Sequence, residues 1–149
     1  MNAVKPPILI IDDDEVDRYV LKRLIKEAKL ELTIFEKNDG QEALDFLNDY
    51  ENNRQEYPEE FPPILIFLDI NMPRINGIQF LEEFSKLRTK VDDIQSCVVM
   101  MFSSSEREEE KAIIMAHDFV KGYLVKGTFK AQELKEQVLS VIDAPVSDI

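Results

Sequence analysis

Several chemistries are absent from this chain because it lacks the residues for them. It has one cysteine, Cys97, and one histidine, His117. A single cysteine excludes a disulfide framework within the chain and points to a reducing compartment. Cys97 opens an apolar run and reads as a buried structural thiol. A lone histidine without neighbours at ligand spacing argues against a histidine metal site, a histidine kinase and a triad hydrolase. Glycine occurs only four times, at 40, 77, 122 and 127, and no phosphate loop of the Walker type is present. Basic residues are also scarce, 18 against 30 acids, for a net charge of −12. That balance lacks the clustered Lys and Arg that phosphate backbones demand, and it disfavours anionic membrane surfaces. No apolar run approaches the ~20 residues of a membrane helix. Met1–Pro7 has no apolar stretch behind a charged head, so no signal peptide is read there. The expected setting is cytoplasmic, away from nucleic acid and membrane.

What is present is enough for one domain. With 149 residues, 44% apolar and 32% charged, the composition is globular, and a chain of this length buries roughly 68–70% of its unfolded surface. Apolar runs of strand length alternate with helical patterns. Ile8–Ile11, Leu32–Phe35, Ile64–Asp69, Val98–Phe102 and Tyr123–Val125 read as strands. Helices are expected from Asp14 to about Lys29, over Gln41–Asp49, Gly77–Leu87, Glu106–Ala116 and Ala131–Ile142. In the first, Val16, Val20, Leu24 and Ala28 recur every four residues beside Leu21 and Ile25. In the last, Leu134, Val138, Leu139 and Ile142 are expected to face the sheet. Asn48–Pro63, with Tyr57, Phe61 and three prolines, reads as a long loop and a candidate for partner specificity. Five unbroken βα units with right-handed crossovers predict a parallel sheet with helices on both faces. A core of about 7–143 leaves a short tail, 144–149, and no segment for an attached output domain.

Polar residues punctuate the ends of these runs. Asp12-Asp13-Asp14 follows the first, Asp69 closes the third, Ser103-Ser104-Ser105 follows the fourth, and Lys126 comes directly after Tyr123–Val125. In a parallel α/β sheet the carboxyl ends of the strands gather along one edge, where ligands bind. Several carboxylates, a hydroxyl and an ammonium on one edge suit a divalent cation and a phosphoryl group. Taken singly, Asp69 reads as a helix cap at a βα turn and Lys126 as a surface lysine. Asp14 is a helix cap, and Glu15 and Asp17 read as solvated first-turn acids.

Ile-Ile-Asp12-Asp13-Asp14, Leu-Asp69-Ile-Asn71-Met-Pro73 with Gly77, Phe-Ser103-Ser104-Ser105 and Gly122-Tyr123-Leu-Val-Lys126 together resemble the receiver domain of two-component response regulators, over essentially the whole chain. The resemblance implies a flavodoxin-like, CheY-like α/β fold with strand order 2-1-3-4-5. It implies Asp69 as phosphoacceptor, taking a phosphoryl group from a histidine kinase or phosphotransfer protein. It implies Mg²⁺ held by Asp13, Asp69 and the backbone carbonyl of Asn71, with Asp12 acting through water. Ser103 and Lys126 would bind the phosphoryl group, Ser104 would leave the acceptor accessible, and Tyr123 would switch between exposed and buried. Asn71 and Ser105 occupy the positions that tune dephosphorylation. On this reading the chain is a phosphoacceptor signalling protein that assists its own phosphorylation and dephosphorylation rather than an enzyme, and it signals to an unidentified protein target. A monomer and a homodimer through the fourth and fifth helices are both compatible with it.

The chain departs from the family pattern in having Gly127 after the lysine, where receivers usually have proline. The long 48–63 segment is similar to the single-domain regulators found beside phytochrome-type and other hybrid kinases. Two other functions use overlapping chemistry. A haloacid-dehalogenase-like phosphatase also has an aspartyl nucleophile and Mg²⁺, but it usually carries a second Asp where this chain has Asn71. A phosphorylation-independent pseudo-receiver would act as an adaptor, although the residues for phosphorylation are all present.

Overall fold

Strands buried on both faces need side chains that are apolar at every position, not at alternate ones. β1 (Pro7–Ile11) and β3 (Leu65–Leu68) are of this kind, every residue being buried. The computed structural model describes residues 5–104 and 107–147. Its sheet has five parallel strands in the order β2-β1-β3-β4-β5, with β2 spanning Thr33–Lys37, β4 Val98–Ser103 and β5 Val120–Val125. The helices are α1 (Glu15–Glu27), α2 (Gly40–Asn48), α3 (Tyr50–Glu56), α4 (Gly77–Lys90), α5 (Glu108–Met115) and α6 (Ala131–Val141).

The pleat splits each strand between two cores. Leu9, Ile11, Ile66, Leu68, Val99 and Met101 pack with α2, α4 and α5 through Leu47, Phe80, Phe84 and Ile114. Ile8, Ile10, Leu65, Phe67, Met100 and Phe102 pack with α1 and α6 through Leu21, Ile25, Leu134 and Val138. The starts of α1, α2 and α4 are fixed by side-chain oxygens that satisfy orphan amides. Asp14 accepts from the amides of Val16 and Asp17, Asp39 accepts from Glu42, and Asn76 with Gln79 forms a reciprocal capping box.

The predicted architecture and order are therefore observed, with four local differences. The 48–63 segment contains α3, whose sequence YENNRQE has no apolar stripe for periodicity to detect. It is held from outside its own pattern: buried Asn53 donates Nδ2 to the Phe46 carbonyl at 2.6 Å. Tyr57 stands edge-on to Phe35 at 5.1 Å between ring centroids, and Phe61 edge-on to Phe46 at 5.4 Å. Phe61 is buried and Tyr57 half-buried, so both aromatics extend the core.

In α1, Leu21, Ile25 and Ala28 are inward, whereas Val16 is 66% and Val20 44% exposed. Steps of four residues drift by about 40° around a helix, so the Val16–Val20 row leaves the buried face. Leu139 of α6 is likewise exposed beside buried Val138. β5 begins three residues before its predicted start, because Val120, Gly122 and Leu124 alternate inward around exposed Lys121. Finally, residues 144–147 of the tail are part of the fold. Leu30 and Val146 form an antiparallel bridge, flanked by Glu31 N–H to Pro145 O at 3.0 Å and Ser147 N–H to Lys29 O at 2.7 Å.

Candidate functional site

β1, β3, β4 and β5 run parallel, and their carboxyl ends deliver Asp12, Asp69, Ser103 and Lys126 to one edge. Backbone pairing carries this register to the edge itself. The Asp69 amide donates to Ile11 O at 3.0 Å, and the Lys126 amide to Ser103 O at 2.7 Å. Asp12 and Ser103 are fully buried, and Asp69 is 4% exposed. Asp13 is exposed at the rim, as are Asn71 and Ser104.

The loop after Asp69 returns tightly to start α4. The Gly77 amide donates to Ile70 O at 2.8 Å. A Cβ on Gly77 would lie 2.7 Å from Asp69 O and 2.8 Å from Ile70 Cα, so only glycine fits. Arg74, in the same loop, has φ +66° and pairs with the carboxylate of Asp39. Burial alone would raise the pKa of Asp39, but the Glu42 amide and the Arg74 guanidinium outweigh it and hold the carboxyl below its usual range.

Carboxylate oxygens of Asp12, Asp13 and Asp69 all lie within 4.8 Å of one another. Asp12 Oδ2 is buried without a hydrogen-bond partner, although the Lys126 ammonium lies 2.7 Å away in an ion pair. A buried carboxylate oxygen with unused lone pairs, facing two other carboxylates, fits a hard, oxygen-seeking divalent cation. Without such an ion the site favours protons. Burial, and then the charge of Asp12, raise Asp69 to a pKa of about 6 in spite of Lys126. Burial raises Asp12 too. Lys126 is raised as well: burial opposes its charge, but its contacts with Asp12 and Asp17 outweigh that and lift it to about 12.

Asp17 is the residue that sequence reasoning misplaced. Its carboxylate accepts a hydrogen bond from Lys126 Nζ at 2.8 Å, whereas Asp69 Oδ1 is 3.6 Å from the same nitrogen. The first turn of α1 points Asp17 back over the strand ends, a contact across 109 positions that local pattern does not reveal. Arg18 was missed as well; its guanidinium donates to the Asp12 carbonyl at 2.5 Å and pairs with Glu36. Tyr123 is half-buried on β5, with Lys111 Nζ 5.4 Å from its ring centroid. Ser105 lies outside the described residues. Gly127 has φ +79°, a left-handed turn that proline could not make. A separate groove between α2 and α4, with Leu44, Ile75 and Leu87 in its walls, contains none of these acids. Among the described residues no helix is long and apolar enough to cross a membrane.

Residues 8–139 match the family model described as the response regulator receiver domain. The nitrate/nitrite response regulator protein NarL of Escherichia coli (strain K12) is 32% identical over 97% of this chain, which spans 62% of NarL's length. A two-component response regulator from Cytophaga hutchinsonii superposes with a TM-score of 0.75 at 25% identity, covering 93% of this chain and 98% of that one. The bacteriophytochrome response regulator RtBRR gives a TM-score of 0.72 at 26% identity, covering 98% of this chain and 84% of RtBRR.

Proposed function

Because the chain belongs to the response regulator receiver family of two-component systems, we propose that Asp69 is its phosphoacceptor and that the whole edge serves this one carboxylate. A histidine kinase or phosphotransfer protein presents a phosphohistidine. An Asp69 carboxylate oxygen attacks the phosphorus, the P–N bond breaks, and the imidazole leaves with the electron pair. The observation that carries the reading is the convergence of Asp12, Asp13 and Asp69 with the Lys126 ammonium on the buried strand ends. With a pKa of about 6, Asp69 is ionised and nucleophilic at neutral pH.

Asp12, Asp13, Asp69 and the Asn71 carbonyl would hold Mg²⁺, which when bound neutralises charge on the phosphoryl oxygens. Lys126 and the Ser103 hydroxyl each bind a phosphoryl oxygen of the product. Exposed Ser104 leaves the acceptor open to the donor, and Asn71 and Ser105 set the access of hydrolytic water. The new charge of about −1.5 to −2 draws Ser103 inward. Tyr123 then moves toward the vacated space, and the α5–β5–α6 surface changes its affinity for a protein target. Residues 7–143 form the receiver unit, which acts in the cytoplasm by protein–protein contact.

Intact mass after incubation with acetyl phosphate tests this reading. One phosphoryl adduct is expected, dependent on Mg²⁺ and absent in Asp69→Asn. An adduct that persists in Asp69→Asn would remove Asp69 from the role. No adduct and no beryllofluoride binding by the folded wild type would remove the reading itself.

A further inference from the structure

An ammonium has three N–H donors, and those of Lys126 are spent mainly away from the acceptor. Asp17 Oδ2 takes a hydrogen bond at 2.8 Å and Asp12 Oδ2 an ion pair at 2.7 Å, while Asp69 Oδ1 at 3.6 Å is beyond hydrogen-bond reach. The two close partners are not equivalent. Asp12 belongs to the triad of carboxylates that fits a divalent cation, so cation binding gives it another partner. Asp17 is outside that triad, and Lys126 is its only partner among the described ion pairs. Its position is also firm. It is the third residue of α1, and its amide reaches the capping carboxylate of Asp14 at 3.4 Å. With its side chain about one-third exposed, it guards the solvent side of Lys126, which is itself 13% exposed.

A phosphoryl group in transfer spreads charge over oxygens that need donors aimed at them in advance. We propose that Asp17 is a positioning residue that restrains Lys126 away from Asp69 before transfer, and that it thereby sets how fast the chain is phosphorylated. This rests on Asp69 being the phosphoacceptor. Release of the Asp17 contact accompanies the approach of Lys126 Nζ to a phosphoryl oxygen. The resting site is held back by a fourth carboxylate that takes no part in bond making.

The test times phosphorylation by acetyl phosphate at saturating Mg²⁺ in wild type, Asp17→Asn, Glu15→Gln, Lys126→Ala and the Asp17→Asn/Lys126→Ala double variant. In this reaction an Asp69 oxygen attacks the phosphorus, the bond to the acetate oxygen breaks, and acetate leaves. Asp17→Asn is expected to be about two- to fivefold faster than wild type, the effect of one partly exposed ion pair. Glu15→Gln removes an exposed acid from the same helical turn and is expected to leave the rate unchanged. The gain must vanish in the Lys126→Ala background. If that background is too slow to time, beryllofluoride occupancy by ¹⁹F NMR supplies the same comparison at equilibrium. An unchanged or slower Asp17→Asn overturns the proposal, as does an equal gain with Lys126 absent or an equal gain in Glu15→Gln. Wild type that takes up neither phosphoryl group nor beryllofluoride would instead sink the phosphoacceptor reading, so the two failures are distinct.

Discussion

Gly77 stands so close behind Asp69 that a single added carbon would lie 2.7 Å from the Asp69 carbonyl oxygen. The conflicting atoms are backbone and cannot turn aside as a side chain could. Gly77→Ala should therefore cost roughly 1–3 kcal/mol, as overpacking does, and push Asp69, the proposed acceptor, out of register. Urea unfolding measures the first effect. The second appears as a phosphorylation rate that falls by more than the folded fraction does.

Crowded carboxylates predict an unusual pH response. Asp69 has a pKa of about 6 in the folded protein against an ordinary 3.8. The folded state therefore holds a proton that the unfolded state has released between those two values. Stability must rise as pH falls through this window. For the metal-free protein, moving from pH 7.5 to pH 5 should add about 1–2 kcal/mol, with Asp12 acting in the same direction. Asp69→Asn should flatten the trend. Metal-free protein that is less stable at pH 5 than at pH 7.5 would contradict the burial-driven shift.

Mg²⁺ should substitute for those protons. At ten times its dissociation constant it should raise stability by about 1.4 kcal/mol, seen as a higher melting temperature at pH 7.5. The gain should shrink at pH 5 and disappear in Asp12→Asn/Asp69→Asn. Equal stabilisation of that double variant would place the ion elsewhere.

The Arg74–Asp39 pair predicts an order between two variants. Both Arg74→Ala and Arg74→Gly lose the ion pair. Only alanine keeps a side chain at φ +66°, a conformation that glycine adopts freely. Arg74→Gly should be more stable than Arg74→Ala by about 1 kcal/mol. The reverse order in chemical denaturation would mean that the loop does not hold this conformation.

How much of this was readable from the chain depends on how local each signal is. The strands show through because full burial demands unbroken apolar runs such as Ile8–Ile11 and Leu65–Leu68, and Asp12, Asp69 and Lys126 show through because each directly follows such a run. α3 is hidden because its reason to be helical lies in Asn53 reaching Phe46 and in Tyr57 packing on Phe35, and none of this is periodic. Asp17 is hidden for a related cause. As a first-turn acid after an Asp cap it has a sufficient local explanation, and nothing nearby hints at a lysine 109 positions away. Val16 and Val20 mislead in the opposite sense, since regular spacing suggested burial that the turn of α1 does not provide.

The parallel register that gathers Asp12, Asp69, Ser103 and Lys126 has a consequence for fidelity. No two of these residues are neighbours in the chain, and no hairpin or single βα unit contains them all. The site comes into being only when strands β1, β3, β4 and β5 are docked together. A partly folded or clipped chain therefore holds no partial version of this constellation, because undocking any one of the four strands disperses it.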